Sequence, residues 1–199
     1  MLEIVLATNN AGKAAEISRI LGKKVKIFTL PEIGFVGEIE ETGETLAENA
    51  LIKARAVACK APGKIIMSDD TGLEVDYLAK APGVYSARFA GPDCSYLDNN
   101  KKLLKLLKGV AKKERGAVFR TVVAVIYPDK NVEIYEGKIS GSIAEKMSGV
   151  YGFGYDPVFI PENKRKTFAQ MNSDEKNSIS HRMKAVKNCR MGIKRKYAV

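Results

Sequence analysis

Asp69 and Asp70 follow the apolar run Ile65-Ile66-Met67 and precede Thr71-Gly72. A buried strand that ends in an acidic pair and a glycine holds a carboxylate at the edge of an α/β sheet, where such sheets bind ligands. One of these carboxylates could bind a divalent cation and orient or deprotonate a water. Three further polar clusters could converge there: Thr8-Asn9-Asn10 with Lys13, Glu40-Glu41-Thr42-Gly43, and Phe153-Gly154-Tyr155-Asp156. Together they have the make-up of a nucleotide site that splits phosphates with a metal ion.

Each cluster has a specific chemistry and a plainer alternative. Thr8-Asn9-Asn10-Ala11-Gly12-Lys13 lies between a strand pattern and a helix pattern. Backbone N–H groups at a helix start attract anions, and a lysine there adds a full charge. The segment lacks the GxxxxGK[ST] pattern and also reads as a simple capped turn. Glu40, Glu41 or Glu44 could give a second oxygen ligand, or form a solvated acidic loop. Phe153 could stack on a base and Asp156 could bind a base edge; otherwise the segment is a glycine-rich connection. Ser180-His181-Arg182 could donate to a purine carbonyl, although a lone histidine is usually structural. Lys53 could reach a phosphate, or be solvated.

His181 is the single histidine, so a multi-histidine metal site is excluded. The three cysteines, Cys59, Cys94 and Cys189, have no zinc spacing and read as reduced, mostly buried thiols. Any metal is therefore held by oxygen, which favours magnesium, manganese or calcium. No apolar run approaches the roughly 18 residues of a membrane span. The N-terminal residues show no secretory pattern, so the expected compartment is the cytoplasm. Of the formal net charge of +10, eight basic residues and no acidic ones lie from Lys176 onward. That stretch reads as the solvated face of a last helix more readily than as a nucleic-acid surface.

The elements that must position these residues can be traced along the 199-residue chain. Residues 2–7 read as a strand, 13–21 as a helix and 25–30 as a second strand, a βαβ beginning. Residues 31–44 read as an irregular loop. Thr45-x-x-Glu48 is a capping box opening a helix to Lys60. Residues 65–69 form a strand, with a separate strand-like piece at 73–78. Ser95-x-x-Asp98 caps a helix to about Lys108. Residues 117–127 and 132–138 read as a hairpin, followed by another strand at 139–145. Ser173 opens a short helical turn, and a last helix begins near Ser180 with Met183, Val186, Cys189 and Ile193 as its apolar stripe. The pattern predicts one α/β domain over 1–199 with a second lobe.

The segments taken together resemble the inosine triphosphate pyrophosphatase family, the Ham1-like or non-canonical purine NTP pyrophosphatases. The residues that carry the resemblance are Ala7-Thr8-Asn9-Asn10-x-x-Lys13, Glu40-Glu41-Thr42-Gly43, Glu48-Asn49-Ala50 with Lys53-Ala54, and Asp69-Asp70-Thr71-Gly72-Leu73. They continue with residues 82–89, Phe153-Gly154-Tyr155-Asp156-Pro157, and Glu175-Lys176 with Ile179-Ser180-His181-Arg182. They occur in order and span nearly the whole chain.

The resemblance implies an elongated mixed twisted sheet flanked by helices, with two lobes and a central cleft. It implies hydrolysis of ITP, dITP and XTP to the monophosphate and pyrophosphate, with magnesium (manganese as an alternative) and a homodimer. The partner is then a small-molecule nucleotide, not a membrane or a nucleic acid. Carried onto this chain, Thr8, Asn9, Asn10, Ala11, Gly12 and Lys13 would cradle phosphates. Asp70 would be the general base and a metal ligand, with Glu40 as the other metal-side carboxylate. Thr71 would touch substrate, and Lys53 would help neutralise the triphosphate. Phe153, Gly154, Tyr155, Asp156, Lys176, His181 and Arg182 would read base and sugar.

The chain departs from the family pattern in two places. Ser148-Gly-Val-Tyr-Gly152 replaces the usual Gly-Thr-Gly-Gly, and Tyr151 is expected to narrow that loop. The C-terminus is basic, with Gly192 and Lys194-Arg195-Lys196, where the family often has a longer apolar helix. Two other readings compete: a Maf-like pyrophosphatase acting on other modified nucleotides, and a nucleic-acid-binding protein using the basic C-terminus. The second leaves the acidic clusters unexplained, because carboxylates repel phosphates unless a cation intervenes.

Overall fold

Among the described residues, alternation of β-branched and apolar residues builds seven strands, and capped amphipathic segments build five α-helices. The computed structural model describes residues 2–197. The strands are β1 (Leu2–Leu6), β2 (Val25–Phe28), β3 (Ile65–Val75), β4 (Pro82–Gly83), β5 (Gly116–Ile126), β6 (Val132–Ile143) and β7 (Phe159–Pro161). The helices are α1 (Ala11–Leu21), α2 (Leu46–Ala58), α3 (Tyr96–Leu106), α4 (Ser173–Ile179) and α5 (His181–Tyr197). The strands form one mixed sheet of order β2-β1-β3-β5-β6-β7, with β4 paired to β3. The fold class is mixed α/β, as expected.

The chain divides into two compact units. The first comprises Met1–Asp70, Thr121–Gly137 and Arg182–Val199, and the second Thr71–Arg120 and Lys138–His181. In the first, β1 pairs in parallel with β2 and with Ile65–Met67 of β3. Its core joins Ile4, Leu6, Ile17, Ile65, Met67, Val123 and Val125 to Ala185, Val186, Cys189 and Ile193 of α5. The basic residues Lys184, Lys187, Lys194, Arg195 and Lys196 lie on the exposed side of that helix. Gly192 is required here for space. A Cβ on it would stand 1.7 Å from the Tyr135 hydroxyl.

In the second unit, Leu73 and Glu74 of β3 pair antiparallel with β4, and β6 pairs antiparallel with β7. Leu73, Val75, Leu103, Phe119, Ile143, Val158, Phe159 and Phe168 form its core. The buried Arg115 donates to the carbonyls of Leu107, Ile143 and Ala144. These bonds satisfy the buried guanidinium through backbone carbonyls.

Several expectations are corrected. β3 is one strand of 11 residues and does not end at Asp69, because its two halves find different partners, β1 and then β4. The acidic pair therefore sits in the interior of a strand. Residues 132–143 likewise form a single strand instead of two. α1 begins at Ala11, two residues early, because the Asn10 side chain caps it by accepting from the Lys13 N–H. The two capping boxes, at Thr45 and Ser95, open α2 and α3 as expected. The cysteines are free, but only Cys189 is buried; Cys94 is half-buried and Cys59 exposed. No helix among the described residues is long and apolar enough to cross a membrane.

Candidate active site

β3 brings Asp69 and Asp70 into two different polar networks of the first unit. Asp69 is wholly buried. Its Oδ2 lies 3.2 Å from Lys13 Nζ and 3.4 Å from Arg182 Nε. Arg182 also donates through Nη1 to Glu16. Successive turns of α1 thus supply Lys13 and, three residues on, Glu16, and the two hold opposite ends of one charge chain. Thr8 accepts from the Asn10 N–H, so residues 8–13 form a tight polar entry to the helix.

Asp70 belongs to the second network. Lys53 Nζ donates to Asp70 Oδ1 at 3.0 Å and to Glu41 Oε1 at 2.6 Å. The other oxygen of Asp70, Oδ2, is buried without a hydrogen-bond partner. The residue brought to Lys53 is Glu41, while Glu40 is exposed. The acidic loop is tied to the start of α2. The Gly43 N–H donates to Asn49 Oδ1 at 2.7 Å, and the Glu44 and Thr45 N–H groups donate to Glu48 Oε2.

Burial and charge act in opposite directions on the two aspartates. Burial alone raises a carboxyl pKa. At Asp69 the charges of Lys13, Arg182 and Lys53 outweigh burial, and its carboxyl is held well below the usual range. At Asp70 burial prevails over Lys53 and Lys13, with Glu41 adding to it, and the carboxyl lies above its ordinary value. Lys13 is pushed down by burial, which Asp69 only partly opposes. Lys53 is raised: burial would lower it, but Asp70, Asp69 and Glu41 together prevail. Asp69 is therefore a fixed anion, and Asp70 is the carboxylate better disposed to take a proton.

A second polar cluster lies in the other unit. Lys176 Nζ is 2.6 Å from Asp156 Oδ2, with both side chains buried. The same Oδ2 accepts from the Phe153 N–H at 2.8 Å. Gly152 has a positive φ and passes so close that a Cβ would meet that oxygen at 2.0 Å. Lys176 Nζ also lies 4.8 Å from the Phe153 ring centroid. Asn100 fixes the Gly154 carbonyl, and the Tyr155 hydroxyl donates to the Ser86 carbonyl. His181 stacks on Phe119 with centroids 4.5 Å apart. Tyr151 is exposed and does not fill the loop. Its N–H and that of Val150 both donate to the Ala169 carbonyl.

The first unit thus brings together Lys13, Lys53, Asp70 and Arg182 with residues 8–12. The second brings together Phe153, Gly154, Tyr155, Asp156 and Lys176, with His181 in an aromatic stack. Thr71 is half-buried in β3. Arg182, grouped by sequence with His181, bonds to Asp69 and Glu16. Sequence reasoning gave no role to Glu16 or Asn49. The spacing of Glu16 from Lys13 was the one available signal for the former.

Residues 4–191 match the family model described as the Ham1 family. This chain belongs to the Ham1 family. It is 50% identical over 190 residues to the dITP/XTP pyrophosphatase of Bacillus subtilis, covering 94% of each chain. Against the dITP/XTP pyrophosphatase of Bacillus licheniformis it is 49% identical, covering 94% of this chain and 95% of the relative. The solved structure of a HAM1 protein from Coxiella burnetii superposes with a TM-score of 0.87 at 37% identity, covering 98% of this chain and all of that one. The Staphylococcus aureus Ham1 protein gives a TM-score of 0.86 at 38% identity, covering 98% and 99%. Membership of the Ham1 family accounts for the order in which the polar segments recur along the chain.

Proposed function

We propose that this Ham1-family chain is a nucleoside triphosphate pyrophosphatase that hydrolyses non-canonical purine nucleotides, ITP, dITP and XTP, to the monophosphate and pyrophosphate. The observation that carries the mechanism is Asp70: buried, with one oxygen on Lys53 and the other without a hydrogen-bond partner. Asp70 takes a proton from the attacking water as its oxygen bonds to the α-phosphorus. The bond from that phosphorus to the bridging oxygen breaks, and pyrophosphate leaves with the electron pair. Residues 8–13 and the Lys13 and Lys53 ammonium groups bind and orient the phosphates.

Among the described residues no three acidic, histidine or cysteine side chains group as a ready-made metal cage. Magnesium commonly binds through one or two carboxylates plus substrate oxygens. The free oxygen of Asp70 and the acidic-loop carboxylates Glu40 and Glu41 fit that requirement, and manganese has the same preference. When bound, the cation offsets charge on the phosphates.

Phe153 to Asp156 and Lys176 read the base and sugar, with Thr71, His181 and Arg182 as further contacts. A 6-oxo purine accepts from donors such as these, whereas the 6-amino group of adenine meets them donor to donor. The chain acts in the cytoplasm, in keeping with three free cysteines, and it works as a homodimer, the assembly its family resemblance implies. Light scattering of the purified chain tests the dimer.

The reaction is tested by incubating the protein and magnesium with ITP, XTP, dATP, dGTP and dUTP and measuring the products. Monophosphate and pyrophosphate from ITP and XTP are expected. Orthophosphate alone, or a preference for dUTP, would contradict the reading. Asp70→Asn should lose about 10²-fold or more of turnover while remaining folded.

A further inference from the structure

Asn49 is a polar side chain placed in the core, and it does not cap its helix, which Thr45 does. It lies on the fourth position of α2, wholly buried. Its Oδ1 accepts from the Gly43 N–H at 2.7 Å, while its Nδ2 is buried without a partner. An aliphatic side chain would fill the same space and leave no unsatisfied donor. The amide therefore has to be explained by what its oxygen holds.

Gly43 ends the acidic stretch Glu40-Glu41-Thr42. Its backbone is not in the left-handed region, so freedom of φ does not account for it. Space does: a Cβ there would stand 2.6 Å from Glu48 Cβ and 2.7 Å from Asn49 Oδ1. Two residues before Gly43, Glu41 reaches Lys53. Asn49 and Lys53 are four apart and share one face of α2. The same helix is tied to β3 at Ala50, whose carbonyl accepts from Ser68 Oγ at 2.5 Å. One helix face thus fastens the acidic loop at two points and fixes the strand that carries Asp70.

We propose that Asn49 is a positioning residue, and that its bond to Gly43 sets the acidic loop in register with Lys53 and Asp70. It touches no reacting atom. It acts by holding the loop backbone, so that Glu41 and Lys53 stay placed against Asp70. The role rests on the pyrophosphatase reading of the same site.

The test joins amide exchange with a double-mutant cycle. In the parent the Gly43 amide should exchange slowly, and in Asn49→Ala it should exchange at the rate of an open loop. Asn49→Ala and Gly43→Ala should each lower kcat/KM by about tenfold or more, chiefly through kcat, at temperatures where both are folded. Because both changes break one contact, the double variant should fall no more than about threefold below the worse single. Asn49→Leu, which fills the same space without an acceptor, should release the Gly43 amide as Asn49→Ala does and lower kcat likewise, so that volume alone does not replace the bond. Unchanged Gly43 exchange in Asn49→Ala, losses that multiply in the double variant, or an Asn49→Leu with parental turnover would each overturn the proposal. An inactive parent would remove the pyrophosphatase reading instead, and the exchange result does not depend on turnover.

Discussion

Asp69 and Asp70 are chain neighbours whose carboxylates are held by different cations, Lys13 and Arg182 for the first and Lys53 for the second. Alternation along a strand sends successive side chains to opposite faces. This is how one dipeptide can serve two networks. The same alternation gives the two acids opposite shifts, below the ordinary range at Asp69 and above it at Asp70.

Asp69→Asn should destabilise the fold more than it impairs any single chemical step. It leaves Lys13 and Arg182 without their shared buried anion, and breaking a buried pair costs about 3–5 kcal/mol. Urea unfolding measures the loss. A variant within about 0.5 kcal/mol of the parent would show that the pairing has little energetic weight.

Lys176 and Asp156 form the corresponding buried pair in the second unit. Lys176→Met should strand Asp156 and cost about 3–5 kcal/mol. Adding Asp156→Asn should recover much of that stability, because no unpaired charge remains. It should not recover discrimination between ITP and dATP. If the double variant selects ITP as well as the parent, the pair is structural only.

Glu133 accepts from the Tyr127 and Tyr135 hydroxyls. These bonds hold its carboxyl below the ordinary 4.5, Tyr127 contributing most and Tyr135 next, against a smaller effect of burial. A depressed pKa gives stability that is present above the unfolded value and is lost as pH falls through the folded one. Glu133→Gln should therefore be less stable than the parent at neutral pH, with the gap closing below about pH 4.5. Thermal melts across pH 3–7 would show it, and a pH-independent gap would contradict it.

Gly192→Ala opposes two effects. Helix propensity favours alanine by about 1 kcal/mol. The added Cβ would lie 1.7 Å from the Tyr135 hydroxyl and 2.6 Å from its ring carbon. Relief requires Tyr135 to leave Glu133, and overpacking of this kind costs about 1–3 kcal/mol. Net destabilisation is expected, while Gly192→Ala combined with Tyr135→Ala should show little of it. A melting temperature raised by the single change would mean that Tyr135 moves aside freely.

Local signals in the sequence were strong enough to place the helices. Thr45 and Ser95 announced α2 and α3, because capping is encoded within four residues. The strands were legible in kind but not in extent. Asp69-Asp70-Thr71-Gly72 looked like a terminus, since nothing local reveals that β1 and β4 each pair with half of β3. The candidate residues came from motif order, yet their partners did not. Glu41, not Glu40, reaches Lys53 because the Gly43–Asn49 bond sets the loop's register. Arg182 meets Asp69 across 113 residues of sequence. Contacts of that span depend on packing and leave no periodic trace.

The interior placement of the acidic pair has a mechanical consequence. A carboxylate at a strand terminus can swing with its loop. Asp69 and Asp70 lie inside an 11-residue strand, between the stretch paired with β1 and the stretch paired with β4, so their backbone is anchored before and after them along the chain. Accommodation of an arriving triphosphate therefore falls to the long, pliant ammonium arms of Lys13 and Lys53, which can swap a carboxylate for a phosphate oxygen while the acids remain the stationary frame.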